Sequence, residues 1–348
     1  MDKLKVSLLG ATGMVGQKMV RILSKHPYIE LTKVSGSPPK VGKKYAESVK
    51  WVEPGEIPEE VAEMRMSSTD PNDHKDSDFV LSALPNEVAE EVELKMVKEG
   101  LKVVSNASPF RMDEDVPLIN PELNWNHLEL LKHQGKRKGW KGLMVKNPNC
   151  TSAIMAMAMK PVLDAVEHGR IHVTTLQSVS GAGYSGLSFM AMVDNVIPYI
   201  KGEEDKVHRE SEKMLGTLED GKVKRRSLDM EVTTVRVPVR VGHMGIITVE
   251  TKAEVDIEEV KRTLRDFRSF PQHHNLPTAP KAPIILREEE DRPQPAKDLG
   301  VDDMAVYVGR IRYSGRALRL IALGNNLVRG AAGITVLTLE VMREMGLA

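Results

Sequence analysis

The chain carries a single cysteine, Cys150, in the run Asn147-Pro148-Asn149-Cys150-Thr151-Ser152. An Ala/Met-rich stretch with helical spacing follows over residues 151–165, so the sulfur stands at a helix N-terminus. Backbone N–H groups and the helix dipole there favour a thiolate, which predicts a thiol pKa below the ordinary value. A lone cysteine is most often a small core residue. The preceding proline and the polar neighbours on both sides argue against that here. A nucleophilic thiol needs a partner that moves protons. Ten histidines are present, and spacing alone does not choose among them. His243 is set apart by Gly242-His243-Met244-Gly245, which predicts a hairpin tip aiming the imidazole into a cleft. An ordinary surface turn explains the same residues.

A second chemistry-bearing pattern opens the chain. Gly10-Ala11-Thr12-Gly13-Met14-Val15-Gly16 lies between a β-friendly run, residues 4–9, and a helical pattern, residues 13–24. Glycines there permit a tight turn and close backbone approach to a pyrophosphate, with the helix N-terminus facing the anion. The spacing is G-x-x-G-x-x-G rather than G-x-G-x-x-G. A Gly-rich turn that only packs helix on sheet is the alternative, but the strand–loop–helix context supports dinucleotide binding. The second strand, residues 31–35, ends in Val34-Ser35-Gly36-Ser37-Pro38-Pro39-Lys40. No acid stands there to repel a 2′-phosphate, whereas Ser35, Ser37 and Lys40 suit one, so NADP is expected over NAD. A simple polar turn is the bland reading.

These residues must be positioned by two different architectures. Strands at 4–9, 31–35, 78–84 and 101–105 alternate with helices at 13–24 and 87–98, which predicts a parallel sheet with crossover helices. Beyond Pro148 the strands lengthen and alternate, at 172–179, 231–241, 245–253, 305–313 and 317–323. Turns at Val241-Gly242-His243 and Tyr313-Ser314-Gly315 suggest antiparallel hairpins. Helices are expected at 151–165, 188–199, 204–218 and 257–268, and a last one at 329–345. The fold class is therefore α/β. A Rossmann-type nucleotide-binding domain over 1–149, completed by the C-terminal helix 327–348, precedes an α+β catalytic and dimerisation domain over 150–326 with a mostly antiparallel sheet. The Lys-rich stretch 132–146 reads as a loop or fraying helix end, with a contact to cofactor phosphates as the alternative. Lys+Arg and Asp+Glu are both 49 in 348 residues. That balance removes the electrostatic case for nucleic acid or an anionic membrane as partner. One cysteine excludes an internal disulfide. No signal peptide or membrane span is visible, so a cytoplasmic protein is expected. No metal-ligand set is assigned.

Taken together, the pieces resemble aspartate-β-semialdehyde dehydrogenase, in its archaeal and fungal branch. The likeness runs in order through the GATGMVG loop, Asn106-Ala107-Ser108-Pro109-Phe110-Arg111-Met112, the NPNCTS segment, and Gln177-Ser178-Val179-Ser180-Gly181-Ala182-Gly183. It continues through Arg236-Val237-Pro238-Val239 with Gly242-His243, and ends in Asn326-Leu327-Val328-Arg329-Gly330-Ala331-Ala332-Gly333. The resemblance implies that Cys150 accepts the acyl group and His243 is the general acid/base. Asn149 and the Cys150 amide would serve the oxyanion, and Gln177 would orient the acyl group. Arg236 would grip the substrate carboxylate, for which its planar fork is suited. Glu210 would meet the ammonium, with Lys213 and Arg111 on the phosphate; ordinary ion pairs are the bland reading of these three. Gly10, Thr12, Gly13, Met14, Val15, Ser35, Ser37, Lys40, Ser82, Leu84, Ser180, Gly181, Gly183 and Asn326 would touch NADP. The implied reaction is reversible, NADPH-dependent reduction of aspartyl phosphate to the semialdehyde through a cysteine thioester, by a homodimer or homotetramer. One departure is the lack of an arginine after the second strand, which many relatives place there for the 2′-phosphate. Rival readings are a malonyl-CoA reductase on the same scaffold and a non-catalytic NADP-binding protein.

Overall fold

The apolar runs of the first third form strands because both their faces are buried, the pattern of a parallel sheet covered by helices. In the computed structural model, which describes residues 3–347, they are β1 (Leu4–Leu9), β2 (Ile29–Ser35), β3 (Met66–Ser67), β4 (Phe79–Ser82), β5 (Lys102–Ser105) and β6 (Leu143–Lys146). Met1, Asp2 and Ala348, which the expected domains include, lie outside the described residues. The strands pair in parallel in the order β3-β2-β1-β4-β5-β6. Helices α1 (Met14–Leu23), α2 (Asn86–Lys98) and α3 (Leu131–Lys138) make the crossovers. The order reverses beside β1, and sheets of this kind hold ligands beyond the carboxyl ends of the strands at that switch. The Lys-rich stretch is helical through Lys138 and becomes β6 at Leu143.

From β6 the chain turns through Asn147, Pro148 and Asn149 into α4 (Cys150–Ala165), most of whose residues are buried. Each buried Ile, Leu, Val or Met side chain stabilises by about 1.5–3 kcal/mol. The second sheet begins with β7 (His168–Gln177). After it come α5 (Glu203–Met214), a small hairpin of β8 (Thr217–Glu219) and β9 (Lys222–Lys224), and β10 (Met230–Arg236). Next are β11 (His243–Thr251), α6 (Ile257–Asp266), β12 (Ile284–Arg287), β13 (Val306–Ser314) and β14 (Ala317–Gly324). The strand order is β10-β7-β11-β14-β13-β12. The three inner pairs are antiparallel and the two outer pairs parallel, so the sheet is mixed. Residues of α4 and α6 pack on it to form the second core, which includes Ile154, Met157, Ile171, Ile247, Val260 and Leu320. The closing helix α7 (Gly333–Glu344) returns to the first core, where Val336, Leu337 and Val341 meet Val6, Leu8 and Met19.

Three local expectations need correction. The strands on either side of His243 do not form a hairpin: β7 lies between β10 and β11, so the connection crosses over the end of β7. The helix expected over 188–199 is a single turn, Phe189–Met192, because Asp194 takes a left-handed φ of 54° and Pro198 follows. The helix expected over 204–218 stops at Met214, and the chain then turns back at Asp220-Gly221, both with positive φ. The hairpin at Ser314–Gly315 forms as expected between β13 and β14.

Candidate active site

Cys150 is the first residue of α4, and Asn149 caps the helix. Asn149 Oδ1 accepts from the Thr151 N–H at 2.8 Å and the Ser152 N–H at 3.1 Å. A cap of this kind is worth about 1 kcal/mol. Asn149 Nδ2 donates to both carboxylate oxygens of Glu203, at 3.0 and 3.1 Å. The side chain expected as an oxyanion donor is thus committed to the cap and to Glu203. The Cys150 N–H, at the first helical position, has no intrahelical acceptor. Cys150 keeps a partial opening to solvent. Its thiol pKa is nonetheless pushed up to about 12, by burial first and then by the Glu203 carboxylate, with Arg111 pulling the other way. The helix N-terminus, expected to lower it, is outweighed by desolvation. Against the other side of Cys150 lies a π-helical turn, Val328–Ala332. A Cβ on its Gly330 would stand 2.5 Å from the Cys150 Cβ.

Sheet register gathers the next three residues. Gln177 ends β7, and its partners are Arg236 at the end of β10 and His243 at the start of β11. In-register neighbours share a face. The row continues to Gly324 of β14, where a Cβ would meet Ile154 of α4 at 2.8 Å, so this is the face that α4 covers. Gln177 is buried and donates from Nε2 to Thr175 Oγ1. Arg236 donates from Nη1 to the Ser178 carbonyl at 2.7 Å. A Cβ on Gly181 would stand 2.8 Å from Arg236 Nη1 and 3.1 Å from His243 Nε2, so both groups face Gly181. The Ser178 N–H donates to His243 Nδ1 at 3.1 Å, which leaves the proton of the neutral ring on Nε2. Nε2 itself is buried and without a partner among the described residues. Burial, and then the Arg236 charge, pushes the His243 pKa down to about 3. His243 therefore presents a neutral N–H donor.

A charged layer flanks the thiol. Phe110 takes a φ of 67° and packs edge-on against Trp140, a strained turn directly before Arg111. Arg111 Nη1 binds Glu210 Oε1 at 3.0 Å and Nη2 donates to the Asn106 carbonyl, while its Nε is buried without a partner. Glu210 Oε2 accepts from the Asn149 N–H at 2.6 Å. Both Glu210 oxygens, expected for a substrate ammonium, are thus in use. Lys213, expected on the phosphate, donates instead to the carbonyls of Arg111, Asp113 and Val116 at 2.7–2.8 Å. Burial pushes its pKa down to about 8. Three contributors escaped the sequence reading. Glu203 was legible in principle, seven residues before Glu210 and so on the same helix face. Ser178 acts through its backbone N–H, and Gly330 through a missing side chain, neither of which leaves a chemical signature.

The nucleotide-binding end has the geometry of a dinucleotide cradle. Gly10 takes φ +72°, and a Cβ there would strike the Ala83 carbonyl at 2.6 Å. No side chain caps α1 at Gly13, so its first amides, including Met14 and Val15, remain open. Lys40 Nζ donates to Thr12 Oγ1 at 2.8 Å, and Ser35 Oγ is buried without a partner beside this loop. Ser37 opens the turn that carries Lys40. Met14, Ser180, Gly183, Tyr184 and Leu327 line a cavity of about 360 Å³ between the two sheets' loops. Leu84 follows β4, and its backbone nitrogen would stand 3.2 Å from a Cβ on Gly10. Two expected contacts point elsewhere. Ser82 Oγ is turned into the sheet, donating to buried Glu93. Asn326 is a buried hub: its Oδ1 accepts from the Gly242 N–H and from the Ser178 and Ser180 hydroxyls, because three loop ends need one acceptor.

Comparison with known proteins bears on the whole chain. Residues 5–131 match the family described as semialdehyde dehydrogenase, NAD binding domain, and residues 159–329 the semialdehyde dehydrogenase dimerisation domain. An aspartate-semialdehyde dehydrogenase of Archaeoglobus fulgidus is 45% identical over 97% of both chains. A malonyl-CoA reductase (NADP) of Metallosphaera sedula is 38% identical over 99% of this chain and 98% of its own. Among solved structures, aspartate-semialdehyde dehydrogenase with NADP from Candida albicans superposes with a TM-score of 0.91 at 32% identity, covering 99% of this chain and 100% of that one. With both domains matched in order and the likeness running end to end, the chain belongs to the semialdehyde dehydrogenase family.

Proposed function

We propose that this protein is an NADP-dependent, phosphorylating aspartate-semialdehyde dehydrogenase, reducing L-aspartyl-4-phosphate to L-aspartate-4-semialdehyde in the synthesis of lysine, methionine and threonine. The observation that carries the reading is a lone cysteine at a helix N-terminus in electrostatic reach of Arg236, which stands in one sheet row with Gln177 and a neutral His243. The Cys150 sulfur attacks the acyl carbon as its thiol proton passes to the phosphate; the C–S bond forms as the C–O bond to phosphate breaks, and phosphate leaves with that electron pair. Covalent catalysis divides one hard displacement into two. Arg111 offers its unpartnered Nε to the phosphate, and Lys213 holds the 111–116 backbone in place behind it. Arg236 takes the substrate carboxylate. NADPH, when bound, supplies the hydride that reduces the thioester. His243 Nε2–H and the Cys150 N–H face the oxyanion; a good donor there contributes about 3–4 kcal/mol. The C–S bond then breaks, returning its electrons to sulfur and releasing the aldehyde.

The malonyl-CoA reductase relative marks the competing substrate class, and the higher identity of the aspartate-semialdehyde relative favours the amino-acid substrate. A homodimer or homotetramer is supported by the match to a dimerisation domain and by the exposure of Phe189, Met190, Val196 and Tyr199 on the second domain. No helix among the described residues is long and apolar enough to cross a membrane, which accords with a cytoplasmic enzyme. The test is NADPH absorbance. Semialdehyde, NADP and phosphate together give turnover, malonyl-CoA gives none, and Cys150→Ala binds cofactor but loses at least ~10³-fold in rate. Phosphate-independent turnover, or turnover on malonyl-CoA alone, would refute the assignment.

A further inference from the structure

Glu203, the first residue of α5, is the one group in the nucleophile's surroundings for which the reaction offers no task. It is buried. Its carboxylate meets only neutral donors: Asn149 Nδ2 on both oxygens and Thr151 Oγ1 on Oε1 at 3.0 Å. No Lys, Arg or His among the described residues forms a contact ion pair with it, although Arg236 attracts it through space. A buried carboxylate with no cation in contact is costly, and the compensation in view is α5's own N-terminus and the more distant Arg236 charge. What that cost secures is visible in sequence order. Asn149 and Thr151 are the residues on either side of Cys150, and a single carboxylate holds both side chains. A carboxylate only accepts, so it also dictates which way the Asn149 amide faces: Nδ2 to Glu203, Oδ1 to the helix amides.

We propose that Glu203 is a positioning residue for the nucleophile, a clamp on the residues before and after Cys150 that sets where the sulfur points. The same helix reinforces the clamp one and two turns on, through the Lys206 carbonyl, which accepts from Ser152 Oγ, and Glu210, which accepts from the Asn149 N–H. The clamp adds an electrostatic consequence. Glu203 on α5 opposes the thiolate, while Arg111 before α3 favours it and Arg236 at the end of β10 interacts favourably with it. His243 at the start of β11 is neutral. The resting thiol is therefore guarded by a negative charge that does not contact substrate.

The proposal rests on Cys150 being the nucleophile, and the presence of one cysteine makes its test specific. The rate of alkylation of the full-length protein by iodoacetamide, followed along its rise from pH 8 to 11, reports on Cys150 alone and needs no acyl substrate. It stays informative even if the substrate assignment fails. Glu203→Gln and Glu203→Ala are both expected to shift the alkylation profile to lower pH, since each removes the charge. Glu203→Ala should lower kcat by roughly 10- to 100-fold, the scale of a misplaced reacting group, with KM for the semialdehyde within about twofold. Glu203→Gln, which keeps one acceptor oxygen, should restore part of that kcat; being isosteric, it carries the test if the alanine variant does not fold. An unmoved alkylation profile with unchanged kcat in a folded variant overturns the proposal. So does a rise in KM at constant kcat, which would make Glu203 a substrate contact.

Discussion

At the scale of single residues, the site is a set of groups whose ordinary chemistry is altered by burial. Cys150 is held as a thiol, although its position on a helix would suggest otherwise. His243 is held neutral, with its proton directed to Nε2 by a backbone amide. Arg236 is the residue proposed above to take the substrate carboxylate. Its Nη1 is anchored on the Ser178 carbonyl, which leaves the rest of the fork for a carboxylate. Lysine would keep the charge and lose the fork. Arg236→Lys is expected to raise KM for the semialdehyde roughly 10- to 100-fold, about 1.5–3 kcal/mol, while kcat changes far less. Steady-state kinetics over a range of semialdehyde concentrations decide this. An unchanged KM would show that the guanidinium does not hold substrate.

At the scale of elements, the site depends on how closely α4 can approach its neighbours. The π-helical turn Val328–Ala332 brings Gly330 against Cys150, and the buried pair of Arg329 with Glu122 holds that turn: Arg329 Nη1 and Nη2 reach Glu122 at 2.7 and 2.9 Å. π-turns are uncommon and cluster at functional sites. A Cβ on Gly330 would also stand 2.9 Å from the Cys150 Cα, where backbone cannot yield as a side-chain tip can. Gly330→Ala should destabilise the protein by about 1–3 kcal/mol through overpacking. It should also lower kcat by about 10²-fold by displacing the nucleophile. NADP affinity should hold, since the Gly10–Gly16 loop is left untouched. Thermal melting, turnover and cofactor titration on one preparation separate these effects, and wild-type kcat would contradict the packing argument.

At the scale of the whole molecule, folding buries several imidazoles in neutral form. Desolvation pushes His243 down to about 3 and His127 down to about 4, and lowers His74. In the unfolded chain these rings take up a proton near pH 6.5. A depressed folded pKa stabilises the fold fully above that pH. The contribution is lost as pH falls from about 6.5 toward the folded values, because protons then bind the unfolded chain preferentially. The urea midpoint should therefore fall steadily between pH 6.5 and 4, and His243→Gln should flatten the slope. A midpoint as pH-dependent in the variant as in the parent would show that His243 does not carry that linkage.

Much was legible before any coordinates. Gly10 to Gly16 between strand and helix is a local pattern, and local backbone chemistry decides it. The order of the first-domain elements follows from the same alternation, and Cys150 before an apolar helical stretch places the sulfur at a helix start. The Gly-flanked turn at His243, seven positions after Arg236, suggested a hairpin, because sequence records separation along the chain but not which strand is inserted between two others. β7 fills that gap, and only long-range pairing decided it. The thiol's pKa went the same way: the helix N-terminus is a local property, whereas the packing of the Gly330 turn against the sulfur's residue and the Glu203 charge come from elements far along the chain. Asn326 and Lys213, which the family resemblance cast as ligand contacts, hydrogen-bond loop segments in the structure, since a buried donor or acceptor bonds whatever backbone the fold brings near. The sequence by itself determined which groups can react and the local structures that carry them. The tertiary structure decided which neighbours those groups meet and which charge states they keep, because burial and field are sums over residues distant along the chain.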